Sequence, residues 1–151
     1  MTRVINLARA ASQGNVLGTG TNSIQVTSLG VGTAASGTTG EIRATNNVTA
    51  YYSDDRLKTK IADIENAVDR LLQLSTFYFE PNEIAIELGY TKAIRPGLSA
   101  QQVQAVEPTV VVPAPISDKY LAVQYEGLIP LLVAAIKELK AEITSLKNKE
   151  V

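Results

Sequence analysis

The sequence predicts an α+β chain in three parts: a Gly/Thr/Ser-rich attachment or stalk segment over 1–52, a small mixed domain over 53–127 and a C-terminal coiled-coil helix over 128–151. Two observations carry this expectation. Residues 1–52 hold seven of the ten glycines and only Arg3, Arg9, Glu41 and Arg43 as charges, whereas charged residues crowd in after Tyr52. At the other end, Ile129, Leu132, Ile136, Leu139, Ile143 and Leu146 recur at spacings of 3, 4, 3, 4 and 3, which is a heptad seam.

Taken in order, Val4, Leu7, Ala8 and Ala11 fall at helical spacing, so a short helix is expected over 2–12, capped by Thr2 and stopped by Gly14. Ile24-Gln25-Val26 and the glycines after it suggest short strands joined by tight turns. The stretch from Gln13 to Thr49 has too few apolar residues to offset its ordering entropy alone, so it is read as either disordered or intertwined with other chains. Gly30-Val31-Gly32 does not open a helix and is no phosphate loop.

From Leu57 the pattern is helical. Ile61, Ile64, Val68, Leu71 and Leu74 lie three or four apart, with Asp54 and Asp55 at the end where the helix dipole favours acids. Phe77-Tyr78-Phe79 reads as a strand closed by Pro81-Asn82, and Ile84 to Leu88 as its partner or a short helix. Arg95-Pro96-Gly97 reads as a turn, and Leu98 to Val106 as a helix ended by Pro108. Val110-Val111-Val112 is expected to be a strand stopped by Pro113 and Pro115, and Tyr120 to Tyr125 another. In the last helix Pro130 falls in the first turn, where its missing N–H costs little, and Lys147 to Val151 are expected to fray. The seam reads either as a coiled coil or as one amphipathic helix packed on its own domain; Ile three residues before Leu is the order preferred by two-stranded parallel coils.

Composition excludes several functions. With 14 Lys+Arg against 15 Asp+Glu, the net charge of −1 provides no basic field for nucleic acid or an anionic membrane. No run approaches the roughly 18 apolar residues of a membrane helix, and Val4 to Ala8 is no signal core, so a soluble, unexported chain is expected. Cysteine and histidine are both absent, which removes disulfides, thiol nucleophiles, thiolate or imidazole metal sites and any histidine base. No metal or other cofactor is expected. Chemistry, if present, rests on Ser, Lys, Tyr or carboxylates. Glu80, Glu83 and Glu87 are read as a solvated face, and Gln101 and Gln102 as interface hydrogen-bonders.

Ser53-Asp54-Asp55-Arg56-Leu57-Lys58 with Ile61, Gly97 to Val106 with Pro108, and Tyr120 to Tyr125 running through Leu128 to Leu132 into Ala135 to Leu139 form three blocks in order. On these blocks the chain resembles the C-terminal intramolecular chaperone domain of phage endosialidases, tail spikes and tail fibres, a family to which the self-cleaving domain of myelin regulatory factor is similar. The resemblance implies a homotrimer that nucleates folding of the fibre before it and then cuts itself off. It implies a location in the virion tail, assembly in the bacterial cytoplasm, and contacts through 1–52 to other tail or baseplate proteins. The scissile bond would be Tyr52–Ser53, with Ser53 as nucleophile and Lys58 as base of a Ser-Lys dyad. Lys60 stands where the family commonly has Asn. Tyr51 and Tyr52 are read as packing in the trimer or lining the cleavage site, with core packing the preferred reading.

A serine hydroxyl needs a base, and a lysine serves when burial or neighbouring cations favour its neutral form. Arg56 and Lys60 would press in that direction, Asp54 and Asp55 against it, and the N–H groups of the helix start near Asp55 would receive the oxyanion. Read locally, the same residues are a helix N-terminus, with Ser53 or Asp54 capping and Lys58 solvated. Three functions therefore stand: a self-removing chaperone, an uncleaved permanent trimer of the tail fibre, and a receptor-binding tip.

Overall fold

The computed structural model describes residues 17–18, 24–49 and 52–149. The helix expected over 2–12, and Tyr51, lie outside the described residues. The chain divides into two compact units, Met1–Lys58 and Thr59–Val151.

In the first unit β1 (Leu17–Gly18) pairs antiparallel with β2 (Ile24–Gln25), and β3 (Leu29–Val31) pairs parallel with β4 (Ile42–Ala44), Leu29 opposite Ile42. Gly32, Gly37 and Gly40 have positive φ in the loop between β3 and β4. Leu29 N–H donates to the Glu41 carbonyl at 2.9 Å and Gly40 N–H to that of Thr27 at 2.7 Å, closing this loop. Val26, Leu29, Val31, Ile42 and Val48 are all exposed. No described side chain of this unit is buried.

The second unit is a mixed α and β structure around one small core. The helix expected from Leu57 starts much later: after a single 3-10 turn, Asp55–Leu57, residues 58–65 are not helical, and α1 spans only Ala67–Leu72. Asn66, in the left-handed region at φ 53°, turns the chain into α1 without capping it by its side chain. The cap comes from far along the chain. Both oxygens of Glu138 accept, from Ala67 N–H and Val68 N–H, at 2.9 Å each. Helical periodicity from Ile61 therefore did not mean one helical face; Ile61 is 91% exposed, while Val68, Leu71 and Leu74 pack on the core.

β5 (Thr76–Phe79) is the expected strand, and of the two readings of Ile84 to Leu88 the helix is observed, as α2 (Glu83–Glu87). Asn82 caps its start, and Gly89 at φ 98° ends it in a Schellman motif, with Tyr90 N–H on the Ala85 carbonyl and Gly89 N–H on that of Ile86. The partner of β5 is instead β6 (Arg95–Leu98), expected to be a turn. Pro96 and Gly97 misled for a physical reason. In a two-stranded sheet proline can sit on the open edge, and Gly97 is needed because a Cβ there would lie 2.7 Å from Cε1 of Phe79. Ser99 caps α3 (Ala100–Val106) by accepting from Gln102 N–H. Gln102 itself bonds Ser75 within this chain, accepting from its N–H at 3.0 Å.

β7 (Val111–Ala114) pairs antiparallel with β8 (Ser117–Val123) in a hairpin whose register shifts between Pro113 and Ala114. Pro113 thus continues the strand at an irregularity rather than stopping it. A 3-10 turn, Tyr125–Leu128, leads into α4 (Ile129–Lys149), which carries Pro130 in its first turn and stays helical past Lys147, where fraying was expected.

The core consists of Ala67, Val103, Val106, Val110, Leu128, Leu131 and Ala135, ringed by Val68, Leu71, Leu98, Val111 and Val123. Arg70 ties α1 to the end of α3, donating to the Val106 carbonyl at 2.9 Å and pairing with Glu107 at 2.6 Å. The Thr109 hydroxyl and the Arg70 guanidinium hold the Glu107 carboxyl below its ordinary range.

Two outcomes follow for stability. Leu131 is 1% exposed, so Leu131→Ala is expected to cost about 2–5 kcal/mol in denaturant unfolding. The Glu138 carboxyl is held below its ordinary 4.5 by the two N–H bonds of α1. A depressed carboxyl stabilises the fold above its unfolded value and loses that contribution as pH falls through its folded value. Unfolding followed from neutral pH to below 4.5 should therefore show a shallower loss of stability in Glu138→Gln than in the wild type.

Candidate functional site

The site expected around Ser53 sits at the end of the first unit. Its local form follows from Asp54, whose backbone is extended at φ −70° and ψ 128° while its side chain accepts from Arg56 N–H at 2.9 Å. That cap starts the turn Asp55–Leu57, and Lys58, extended again at φ −124° and ψ 141°, leaves it. One turn between two extended residues folds the Lys58 side chain back over the chain that precedes the turn. Lys58 Nζ donates to Ser53 Oγ at 2.8 Å.

This distance is within reach for proton transfer between a nucleophile and its base. The local reading of a capped turn is present as well, with Asp54 and not Ser53 as the cap. Ser53 and Lys58 are exposed, so among the described residues of this unit there is the contact but no wall that excludes water. Tyr52, whose carbonyl carbon would be attacked, is 70% exposed in the single chain.

The charged residues of this stretch of sequence are arranged in couples. Arg56 forks onto Asp54, with Nη2 at 2.7 Å from Oδ2 and Nε at 3.0 Å from Oδ1. Arg56, first by its guanidinium and then by its backbone N–H, holds the Asp54 carboxyl below its ordinary range, and Asp54 in turn raises Arg56. In the second unit Lys60 pairs with Asp63 at 2.7 Å and lowers it in the same way. The two cations expected to press on Lys58 therefore each have an acid as partner. The N–H groups of Arg56, Leu57 and Lys58 also have acceptors already: the Asp54 carboxylate, the Asp54 carbonyl and the Asp55 carbonyl. They are not open oxyanion donors in this conformation.

The second group of expected residues lies along α4. Leu131 and Ala135 of this helix are buried and Glu138 caps α1, whereas Ile129, Leu132, Ile136, Leu139, Ile143 and Leu146 are 44–66% exposed. The two sets lie about 100° apart around the helix at 3.6 residues per turn. The helix thus packs on its own domain by one face and presents the heptad seam on another. What the sequence reading missed is the first face, signalled only by Leu131, Ala135 and Glu138 at i, i+4 and i+7. Among the described residues no cluster of three or more acidic groups suited to a metal ion occurs, and no helix is long and apolar enough to cross a membrane.

The Ser-Lys contact begins where a known family begins. Residues 53–112 match the family model described as the chaperone of endosialidase. The chain is also 34% identical over 117 residues to the long tail fiber protein Gp37 of Enterobacteria phage K3, covering 73% of this chain and 9% of that protein. The same protein of Enterobacteria phage T2 is 34% identical over 117 residues, 73% of this chain and 8% of the relative. That of Escherichia phage AR1 is 36% identical over 87 residues, 57% of this chain and 8% of the relative. The chain therefore spans less than a tenth of the length of these relatives. The family match ends at Val112, so β8 and α4 lie beyond it.

The Asp54–Arg56 fork can be checked directly. In a carbon-detected NMR titration the Asp54 carboxyl should titrate below its ordinary 3.8, and Arg56→Ala should move that midpoint back up.

Proposed function

We propose that this chain is a phage tail fibre or tail spike component in which residues 53–127 act as an intramolecular chaperone and 128–151 join three copies. In this reading residues 1–52 form the attachment or stalk segment that meets other tail or baseplate proteins. The chain is placed in the virion tail and assembled in the host cytoplasm. Likeness to long tail fiber proteins supports the setting. The observation that carries the assembly is the exposed seam: a helix already docked on its own core still turns six large apolar side chains to water. Burying that stripe against copies of itself is what heptads do.

Self-cleavage between Tyr52 and Ser53 is the second half of the reading, supported by the 2.8 Å contact of Lys58 with Ser53. Ser53 Oγ adds to the Tyr52 carbonyl carbon while its proton passes to Lys58 Nζ. The Tyr52–Ser53 C–N bond then breaks, Lys58 returns the proton to the departing amine, and the Tyr52 acyl group is left as an ester on Ser53 Oγ. Water cleaves that ester, releasing the Tyr52 carboxylate. The event is a single turnover. A lysine takes a proton only from its neutral form, which removal from water favours. Both groups are exposed in the single chain, so cleavage would await covering by the assembly.

Intact mass and sedimentation test both halves. Wild type should sediment as a trimer and split between Tyr52 and Ser53. Ser53→Ala should stay whole, and Lys58→Ala should slow cleavage by about 10²–10⁴-fold, the usual worth of a general base. Ile136→Asp, which places a charge in the seam, should give a monomer that stays uncut. Trimers that all remain full length would instead support a permanent structural piece of the fibre, and a stable dimer would overturn the stoichiometry.

A further inference from the structure

The seam of α4 is flanked by charges that have no role in this chain's own fold. Taking Ile129, Ile136 and Ile143 as position a and Leu132, Leu139 and Leu146 as position d, one flank (position g) holds Leu128, Ala135 and Glu142. The other (position e) holds Val133, Lys140 and Lys147. Leu128 and Ala135 are buried in the core of their own unit, so that flank is covered over the first half of the helix. Glu142 and Lys147 are exposed, and neither has an ion-pair partner among the described residues.

In a parallel, in-register coil a g residue faces the e residue five positions later on the neighbouring helix. Position 142 then faces position 147. We infer that Glu142 of one copy pairs with Lys147 of the next, and that this contact makes the seam select parallel, in-register copies of this chain as its partners. The inference rests on the self-association proposed above and adds its orientation and its selectivity. An antiparallel pairing sets like flanks together. Glu142 would then meet the flank of Ala135, which has no charge and is occupied by its own domain. A parallel coil shifted by one heptad would leave two of the six apolar layers uncovered.

The chain has no cysteine, so one introduced thiol reports orientation cleanly. Leu146→Cys should form an intermolecular disulfide under oxidising conditions, because parallel copies bring position 146 together. In an antiparallel coil the two sulfurs lie near opposite ends of the seam, about 25 Å apart at 1.5 Å per residue, which no disulfide spans. Glu142→Lys and Lys147→Glu, each alone in the full chain, should weaken self-association on the order of tenfold at low salt, and less at high salt. The double variant Glu142→Lys/Lys147→Glu should regain wild-type association, and the two single variants should associate with each other better than with themselves. A chain that is monomeric at every concentration overturns the self-association itself. A chain that associates, loses association in Ile136→Asp, yet neither cross-links at position 146 nor responds to the charge reversals, overturns only the pairing inferred here.

Discussion

The carboxylate of Glu138 decides which side of α4 belongs to the chain's own core. By taking the first two N–H groups of α1 it performs the capping that Asn66 does not, and it clamps a six-residue helix, too short to persist alone, onto one of 21 residues. Ala67 and Leu131 are then buried in one cluster. Further bonds link the neighbouring elements of the second unit. Arg70 reaches from α1 to the end of α3, Gln102 reaches back from α3 to Ser75, and Tyr125 accepts from Leu98 N–H at the end of β6. A helix fixed in this rotation has no choice about where its other apolar face points.

The candidate catalytic pair depends on quite different forces. No core holds Ser53 and Lys58; a capped 3-10 turn does, and the Asp54–Arg56 fork stiffens it. Such a turn is local in sequence and forms without long-range packing, which suits a site whose neighbours would come from elsewhere. Its cost is that the contact stands in water, where an amine and a hydroxyl are ordinary surface groups.

Much of this was legible in the residues. The seam spacing located α4, the helix read over Leu98 to Val106 and ended by Pro108 is α3, and the alternation after Tyr120 marked most of β8. The Ser53–Lys58 approach was expected from family resemblance and is a short contact in the structure. Two of the failures share one cause. Ile61 and Ile64 keep a helical period outside any helix, because α1 is capped by Glu138, more than seventy residues away in sequence. Pro96 and Gly97 look like a turn, but one faces an open edge and the other lies under the Phe79 ring. Each was set by a partner distant in the chain, and local pattern carries no record of such partners.

Among the described residues only eight apolar side chains are buried, several of them alanines and valines. The heat-capacity change of unfolding scales with the apolar surface exposed. For the described residues, so small a core predicts a flatter stability curve and a broader melting transition for the single chain. A sharp, concentration-dependent melt would be a property of the association and not of the chain.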